Sequence, residues 1–413
     1  MSTLDIAATV KIPSWMNENV LTLLSVMNRK GEPPAALIVG GAVRDTILEK
    51  PVSDFDIATV YTPEQVVAVL QQQGIKVILT GVDHGTVTAL VGDDEFQITT
   101  LRKDVETDGR HAVVSFTTDW KTDAERRDFT INTLLMNEKG AVFDPLGCGL
   151  DDLSKGAVVF VGEPSQRIQE DYLRILRFFR FYAFYALGDP DAKALKACTD
   201  HRDGISGLSK ERITTETLKM LQAPQPMKAL SHMFSCGVLT DIKHEAFDES
   251  AFVKLCEWYT GNNIHDVWVR LLMLAALDKD YIKHFSKMFI LSKQQQKLLY
   301  STLAAYYQIQ DRTVKNIRSS VFYNKSAPTL RALMMHAALN GETLTDIGEF
   351  VKIVQTWQPP KVPIDGTDLK AAGVKAGPVY AEILTAFERW WIDHDFTTDR
   401  DKSLESLRKI IAE

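Results

Sequence analysis

Short runs of apolar and β-branched residues, separated by Gly and Asp, fill the chain from about residue 35 to residue 100. Runs of this length and composition are typical of strands. The predicted strands are LIVGG, DFDIATV, KVILTG, TVTALVG and FQITTL. Helical patterns lie between them, in VRDTILEK and in PEQVVAVLQQQG, where Thr62 is placed to cap the helix and Pro63 to begin it. This part of the chain is therefore predicted to be a mixed α/β unit.

The pattern changes after about residue 162, where strand signals end and apolar residues recur at every third or fourth position. RIQEDYLRILRFFRFYAFYAL and DVWVRLLMLAAL are examples, and the remainder of the chain is predicted to be nearly all helical. The fold class is therefore α+β, with a mixed-sheet head followed by helices only. A proline-rich break at residues 358–363 predicts a separate C-terminal segment. The predicted parts are a head (1–160), a neck (161–220), a body (221–358) and a tail (359–413).

Composition narrows the class of protein. The chain has 413 residues, of which 45% are hydrophobic and 24% charged, enough for a globular protein with a sizeable core. No apolar stretch approaches the roughly 20 residues of a membrane span. Because no secretory signal is visible either, we expect a cytoplasmic protein without a membrane partner. The cysteines are scattered without a C-x-x-C pair, which argues against structural zinc and against a disulfide framework.

The net charge of −7 means that any surface for nucleic acid must be local. The first candidate for local chemistry is a pair of acidic residues in DFDIATV. In a strand, Asp54 and Asp56 would project to one side, with Phe55 on the other. Paired carboxylates repel each other unless a cation lies between them, and Mg²⁺ binds through one or two carboxylates plus phosphate oxygens. The pair indicates metal-assisted phosphoryl or nucleotidyl transfer, with a solvated strand face as the alternative.

A glycine pair lies just upstream. Gly40 and Gly41 join a buried strand to a helix, so that backbone can approach phosphate groups at the helix N-terminus. Arg44, one turn into the helix, adds a charged group that can bind phosphate in a forked geometry. A Gly-Gly sequence alone is usually a tight turn. Together with the paired carboxylates that follow, it is a more specific signal of a phosphate-binding site.

Charged residues cluster again in two later segments. RRDFTIN carries Arg127 and Asp128 on a predicted short helix, where an ordinary surface ion pair is the alternative. In EDYLRILRFFR, Asp171, Arg174 and Arg177 follow at three-residue steps on one side of the predicted helix, with Arg180 further round. A salt-bridged surface helix is the bland interpretation. Against it, apolar residues cover the rest of the helix and would confine its charges to one cleft: Leu173, Ile175, Leu176, Phe178, Phe179, Phe181 and Tyr182.

An aspartate beside an arginine can read a nucleobase. Cytosine and adenine each present an amino donor next to a ring-nitrogen acceptor, which complements a carboxylate next to a guanidinium. Uracil and guanine present a carbonyl beside an N–H and would meet unmatched partners. Mismatched buried polar groups can give discrimination of about 10⁴. One Asp–Arg pair can thus admit C and A while excluding U and G.

GGAVRD followed by DFDIAT resembles the signature of class II CCA-adding enzymes and bacterial poly(A) polymerases, within the polymerase-beta nucleotidyltransferase superfamily. RRDFTIN, DPLGCGLDDL, EDYLR and GISGLSKERITTE are similar to further motifs of that family, although Cys148 interrupts the commoner Gly-Gly. The strong resemblance covers about residues 37–216. It implies that the last of these motifs braces the helix that binds the nucleotide, and that a helical tail contacts tRNA.

The resemblance also implies roles for individual residues. Asp54 and Asp56 would hold two Mg²⁺ ions, one assisting the attacking 3′-hydroxyl and the other the leaving pyrophosphate. Gly40, Gly41 and Arg44 would lie along the triphosphate. The residues implied for sugar, base and phosphate contacts are Arg127, Asp128, Asp171, Arg174, Arg177 and Arg180, with Asp171 and Arg174 as the base reader. A neutral Gln97 stands where relatives can show a glutamate, so no third metal ligand is assigned.

The implied activity is template-independent addition of CCA to tRNA 3′ ends from CTP and ATP. A poly(A) polymerase that adds A only shares the motifs, although such enzymes often carry a strongly basic extension that this acidic chain lacks. A non-catalytic RNA-binding protein with the same fold is the alternative from another class. Retention of Asp54, Asp56, Asp171 and Arg174 counts against it.

Overall fold

The structure is a computed structural model that describes residues 4–52, 54–79, 81, 85–107 and 112–412. The chain forms two compact units, Met1–Thr240 and Asp241–Glu413. The first unit contains a mixed sheet followed by helices, and the second is helical in the part that the structure describes. The predicted α+β class is confirmed, while the division into head, neck, body and tail stays a prediction.

One mixed sheet of eight strands forms the framework of the first unit, counting only described residues. Its strands are β1 (Ile6–Thr9), β2 (Ala36–Val39), β3 (Asp56–Thr59), β4 (Lys76–Ile78), β5 (Thr86–Val91), β6 (Asp94–Thr100), β9 (Leu135–Met136) and β10 (Ala141–Phe143), while β7 (Arg102–Thr107) and β8 (Ala112–Phe116) form a separate hairpin. The order in the sheet is β1-β10-β9-β2-β3-β6-β5-β4. Strands β3 and β6 run parallel, and the other neighbouring pairs are antiparallel.

The helices of the first unit flank this sheet and then continue away from it. They are α1 (Glu18–Met27), α2 (Gly41–Ile47), α3 (Pro63–Gln72), α4 (Trp120–Glu125), α5 (Gly149–Lys155), α6 (Pro164–Glu170), α7 (Leu173–Tyr185), α8 (Ala192–Asp200), α9 (Lys210–Leu221) and α10 (Met227–Ser235). Thr62 and Gln65 form a capping box at the start of α3, as the sequence predicts for Thr62. Short 3-10 helices lie at Thr130–Asn132 and Arg202–Gly207.

Alternating side chains of the central strands fill the two faces of the sheet. On one face, Leu37 and Val39 of β2 pack in a buried cluster with Trp120 of α4 and Phe143 of β10. The neighbouring residue Ile38 is also fully buried and belongs to the opposite face. The sheet therefore has a core on both sides, which leaves functional side chains at the strand ends and in the connecting loops.

Aromatic residues fasten α7 to the head. Phe129 contacts Phe160 with ring centroids 4.9 Å apart, and Phe160 stacks on Phe178 of α7 at 5.7 Å. The residues predicted to make the apolar side of this helix are all buried: Leu173, Ile175, Leu176, Phe178, Phe179, Phe181 and Tyr182. Its charged side is therefore held toward the head.

The prediction that Asp171 lies on the same helix as Arg174 and Arg177 is wrong. Helix α6 ends at Glu170, and α7 begins at Leu173. Asp171 between them has extended backbone, with φ −158° and ψ 107°, and its Oδ1 accepts a hydrogen bond from the Leu173 N–H. A short acidic side chain can satisfy local backbone N–H groups and so compete with helix formation. Asp171 therefore separates two helices instead of lying on one.

The second unit consists of helices in the described residues. They are α11 (Glu249–Gly261), α12 (Val267–Leu274), α13 (Lys279–Met288), α14 (Lys293–Gln308), α15 (Val314–Asn324), α16 (Ser326–Asn340), α17 (Gly348–Thr356), α18 (Gly366–Ala371), α19 (Val379–Asp393) and α20 (Arg400–Ala412). Buried Trp391 and Phe387 organise the core of the last three helices. No described helix combines the length and the apolar character that crossing a bilayer requires.

Candidate active site

A cavity of about 500 Å³ in the first unit brings together the predicted site residues, except Asp54 and Arg180. Its lining consists of Gly40, Gly41, Arg44, Asp56, Arg127, Asp128, Asn132, Asp171, Leu173, Arg174, Arg177, Phe181 and Arg212. The glycine turn lies after β2, and Asp56 begins the neighbouring strand β3. The arginines of α7 come from the neck side. The cavity is therefore built where the sheet meets the first helices that follow it.

The glycine turn has a conformation that glycine alone adopts readily. Gly40 has φ +74° and ψ −126°, and a Cβ there would lie 3.5 Å from Arg127 Nη1. Since Gly40 also lines the cavity, its backbone is open to a ligand. The helix that follows, α2, is only seven residues long. The turn therefore lets a ligand come close to the backbone, beside Arg44 and Arg127.

We predict that Gly40→Ala lowers activity sharply and destabilises the fold. An alanine at this positive φ is strained, at a cost of about 1–3 kcal/mol, and its methyl group would occupy cavity space next to Arg127. Thermal unfolding and a nucleotide-incorporation assay would measure the two effects. Gly207→Ala is the matched control, because a Cβ there meets nothing within 4 Å and Gly207 has no positive φ. Equal activity of the two variants would contradict the role given to the turn.

Arg44 is held by protein partners at the edge of the cavity. It is 6% exposed, and its Nε and Nη2 donate to the Asp45 carboxylate at 3.0 and 2.9 Å. Its Nη1 donates to Asn132 Oδ1 at 2.5 Å, and Nη2 also donates to the Tyr185 hydroxyl at 2.6 Å. Burial raises the pKa of Tyr185 to about 12, which keeps the phenol neutral. Arg44 is thus a fixed cation whose charge Asp45 partly balances.

The acidic pair differs from the predicted geometry. Strand β3 begins at Asp56, which pairs with Val39, and the ladder ends there because Gly40 turns into α2. Asp54 lies before the strand, so strand alternation does not position it, and the predicted strand start is wrong. Phe55 packs on Trp15 and Phe96, with ring centroids 4.9 and 5.6 Å apart. The predicted apolar side at Phe55 is confirmed.

Asp56 has an electrostatic environment that suits a cation. Partial burial raises the pKa of Asp56, Arg127 opposes this rise, and the negative charge of Asp54 adds to it. Burial and a neighbouring carboxylate disfavour the ionised form of a carboxyl group, and a bound divalent cation stabilises that form. The described residues contain no cluster of three His, Cys, Asp or Glu side chains placed for a metal. Two carboxylates with substrate phosphates are nevertheless a sufficient ligand set for Mg²⁺.

Arg127 and Asp128 lie in a turn between α4 and the 3-10 helix at Thr130–Asn132, so the short helix predicted over residues 126–132 is found only in its last three residues. Arg127 Nη2 is paired with Asp123 Oδ2 at 2.9 Å. Asp128 Oδ2 accepts from Arg177 Nε at 2.7 Å and also pairs with Arg177 Nη2. Burial acts to raise the pKa of Asp128, but Arg177 and the hydrogen bonds from Asn132 outweigh it and hold the pKa below its ordinary value. Asp128 is therefore ionised and fixed.

The two predicted base-reading residues line the same cavity but are bonded to other partners. Asp171 Oδ2 accepts from Arg212 Nη2 at 2.6 Å. Arg174 Nη1 donates to Glu170 Oε2 at 2.5 Å and to the Arg167 carbonyl at 2.7 Å. Each reader therefore has its own partner of opposite charge.

Arg180 of α7 forms an ion pair with a carboxylate of the neighbouring helix α9. Its Nε donates to Glu216 Oε2 at 2.6 Å, and Glu216 belongs to α9, which packs along α7. Burial lowers the pKa of Arg180, and the charge of Glu216 opposes this. The position of Glu216 agrees with the bracing implied for GISGLSKERITTE. Arg180 contributes to that brace and does not line the cavity.

We predict that Glu216→Ala destabilises the first unit by about 3 kcal/mol, because it leaves the half-buried Arg180 without its carboxylate partner. Denaturant unfolding would measure the loss. Glu211→Ala is the control, since Glu211 is an exposed acidic residue of the same helix and its removal should change stability by less than about 1 kcal/mol. Similar stability of both variants would show that the brace carries little energy.

Several residues that build the site were not predicted from the sequence as site residues. They are Asp123, Asn132, Glu170, Arg212 and Glu216, of which Asn132 and Arg212 line the cavity. All except Asp123 lie inside motifs that the sequence analysis quotes, so their positions were visible although their contacts were not. Asp123 lies outside those motifs, and the sequence around it gives no signal of its role.

Comparisons with known proteins agree with this geometry. Residues 36–159 match the family model of the poly A polymerase head domain, residues 189–247 match a probable RNA and SrmB-binding site of polymerase A, and residues 260–406 match tRNA nucleotidyltransferase domain 2. The chain is 34% identical over 390 residues to mouse CCA tRNA nucleotidyltransferase 1, mitochondrial, covering 90% of this chain and 86% of the relative. The chain belongs to the CCA-adding tRNA nucleotidyltransferase family. It is an enzyme of the nucleotidyltransferase class, as the sequence predicts.

Other family members show similarity of the same extent. The CCA-adding enzyme of Streptococcus pyogenes serotype M1 is 32% identical over 374 residues, covering 88% of this chain and 91% of the relative. The Bacillus stearothermophilus CCA-adding enzyme, solved in complex with CTP, has a TM-score of 0.78 at 25% identity and covers 96% of this chain and 97% of its own. The Thermotoga maritima enzyme, solved with tRNA, shares the fold with a TM-score of 0.63 at 17% identity over 96% of each chain.

Proposed function

We propose that this enzyme adds C, C and A to the 3′ ends of tRNA, using CTP and ATP and releasing pyrophosphate. The observation that carries the proposal is the single cavity in which the glycine turn and Asp56 face Asp171 and Arg174. One end of this cavity suits a triphosphate beside an acidic strand end. The other end suits a nucleobase beside a carboxylate and a guanidinium.

The phosphate end combines close backbone with fixed cations. Gly40 and Gly41 leave room for a triphosphate, and Arg44 and Arg127 face the same space with their guanidinium groups anchored on Asp45 and Asp123. Anchored arginines need little reorganisation when phosphate binds. These residues would orient the α-phosphorus for attack by the RNA 3′-oxygen. The bond from that phosphorus to pyrophosphate then breaks as the new ester forms.

Asp54 and Asp56 would hold magnesium at the start of β3. Asp56 fits this role because its carboxylate lines the cavity and carries a raised pKa without a bound cation. When bound, magnesium neutralises phosphate charge and favours the ionised 3′-hydroxyl. Asp54 and Asp56 would place the positive charge of magnesium next to the glycine turn. A third carboxylate ligand is not part of the proposal.

The base end has groups left over for a nucleobase. Asp171 uses one contact on each oxygen, from the Leu173 N–H and from Arg212, and a carboxylate can accept about four hydrogen bonds. Both described hydrogen bonds of Arg174 use Nη1, and a guanidinium also carries N–H groups on Nε and Nη2. An acceptor and a donor therefore remain for the amino group and ring nitrogen of C or A. Asp128 and Arg177, paired beside them, would contact the sugar and phosphates.

The relatives support this substrate choice by their names and contents. The mouse relative is a CCA tRNA nucleotidyltransferase and the streptococcal relative a CCA-adding enzyme by name, and the Bacillus stearothermophilus CCA-adding enzyme was solved in complex with CTP. A cytoplasmic location stays a prediction, since the mouse relative is mitochondrial by name. Addition of A only is the second candidate, because residues 36–159 match a head domain named for poly A polymerase.

Labelled triphosphates separate these candidates. The purified protein would be incubated with Mg²⁺, one labelled nucleoside triphosphate and a tRNA trimmed to end before the first C, after CC, or after CCA. We expect C on the first substrate, A on the second and nothing on the third. Repeated A addition to all three would indicate a poly(A) polymerase. No incorporation into any of them would support a non-catalytic RNA-binding protein.

A further inference from the structure

The carboxylate of Asp171 is fixed at both of its oxygens. Oδ1 accepts from the Leu173 N–H at 3.1 Å, across the break between α6 and α7. Oδ2 accepts from Arg212 Nη2 at 2.6 Å. Arg212 comes from the first turn of α9, which lies 41 residues further along the chain and packs along α7. Both side chains are only partly exposed, 22% for Asp171 and 28% for Arg212, and both line the cavity.

Arg174 is fixed in a parallel way by Glu170, at 2.5 Å. Asp171 and Arg174 have opposite charges, lie three positions apart and face one cavity. Without other partners they would attract each other and form an ion pair, which would use up the acceptor and the donor that a nucleobase needs. Instead, Asp171 is bonded to Arg212 and Arg174 to Glu170. The two ion pairs therefore keep the reading groups apart.

We propose that Arg212 is a positioning residue for base selection, an inference that rests on the proposed function. Arg212 fixes which edge of the Asp171 carboxylate faces the nucleobase and prevents Asp171 from collapsing onto Arg174. Base discrimination needs an acceptor at one place and a donor at another, so it depends on this separation. Arg212 itself makes no contact with the base in this account.

The test compares four nucleoside triphosphates in the full-length enzyme. Arg212→Gln removes the charge and leaves a shorter polar side chain. We expect kcat/KM for CTP and ATP to fall while the values for UTP and GTP stay or rise, so that the preference for C and A drops about tenfold to hundredfold. A hydrogen bond to a charged group has about this effect. Arg212→Lys, which keeps the cation, should restore most of the preference.

A purely structural role for Arg212 would give a different pattern. All four values of kcat/KM would then fall together, and the preference ratio would stay at the wild-type value, which would overturn the proposal. The matched control is Lys219→Gln, which removes a positive charge from an exposed position in the last turn of the same helix and should leave all four values unchanged. If thermal unfolding shows that Arg212→Gln is not folded, Arg212→Met, which keeps the aliphatic length, replaces it. The same drop in the preference for C and A is expected.

A double-mutant cycle isolates the link to Asp171. In an Asp171→Ala background, Arg212→Gln should cause no further loss of preference, because the group that it positions is absent. Additive losses would contradict the proposal. Failure of the proposed function can be distinguished from failure of the Arg212 proposal. In the first case, the wild-type protein would incorporate neither C nor A into trimmed tRNA.

Discussion

Replacing Asp56 with alanine should reduce nucleotide incorporation by at least about 10³-fold while leaving the fold intact. Asp56 is the acidic residue of the pair that lines the cavity, next to the glycine turn and Arg127. Loss of metal-based charge stabilisation is worth several kcal/mol in the transition state, which corresponds to about three orders of magnitude in rate. Single-turnover incorporation of labelled CTP into trimmed tRNA would measure the effect. Asp54→Ala should act in the same direction.

Stability distinguishes a lost ligand from a damaged fold. Because the pKa of Asp56 is raised in the folded chain, its ionised form is less favourable there than in the unfolded chain. Above that pKa, the charge of Asp56 lowers stability, so its removal should leave the unfolding midpoint unchanged or slightly higher in magnesium-free buffer. Asp93→Ala, at an exposed position between β5 and β6, is the control for activity. Near-normal turnover of Asp56→Ala would refute the metal assignment.

Replacing Asp171 with alanine should relax the choice of nucleotide. In the proposed function, the Asp171 carboxylate would accept a hydrogen bond from the amino group of cytosine or adenine and would repel the carbonyl oxygens of uracil and guanine. Sites that pair polar groups in this way discriminate by about 10⁴, so we expect the preference for C and A over U and G to fall at least about a hundredfold. Competition between labelled triphosphates on trimmed tRNA would measure the ratio.

Total activity alone does not test the reader. Loss of the Asp171 carboxylate also frees Arg212, which can lower incorporation of every nucleotide. The decisive quantity is the ratio of kcat/KM values, with Asp203→Ala as the control because that side chain is 94% exposed and lies in the same unit. If Asp171→Ala keeps the wild-type ratio, Asp171 does not select the base.

The helix faces and strands that were predicted most reliably are those in which buried positions recur at a regular spacing. The apolar side of α7 was predicted residue by residue because a helix buried on most of its circumference leaves a clear pattern. Strands β2, β3, β5 and β6 were predicted for the same reason, since they alternate or run apolar through a core, while β4 was predicted although it is mostly exposed. Strands β1, β7, β8, β9 and β10 were missed. β1 is a mostly exposed edge strand with Ile6 63% exposed, and β9 has two residues.

Local competition by side chains explains the wrong helices. Asp171 ends one helix and bonds the next through its carboxylate, although the spacing of apolar residues continues across the break. Asp128 likewise accepts from the Phe129 N–H in the turn where a helix was predicted. Periodicity reports which face is buried and does not report where an Asp satisfies backbone N–H groups instead of the helix.

The partners of the charged residues could not be predicted, because they join distant parts of the chain. Arg177 and Asp128 are 49 residues apart, and Arg44 and Asn132 are 88 residues apart. The motifs identified most of the residues that line the cavity, but the sequence alone paired Asp171 with Arg174. It did not show that each of these residues has an ion-pair partner of its own, Arg212 for Asp171 and Glu170 for Arg174.

The most direct test is a crystal structure of the protein soaked with Mn²⁺ and CTP, in which anomalous scattering locates the metal. We expect manganese bound by Asp54 and Asp56, the triphosphate along Gly40 and Gly41, and the cytosine amino group within hydrogen-bond distance of Asp171. Manganese bound elsewhere, or a cytosine turned away from Asp171 and Arg174, would contradict the central claim that one cavity joins metal-assisted transfer to base selection.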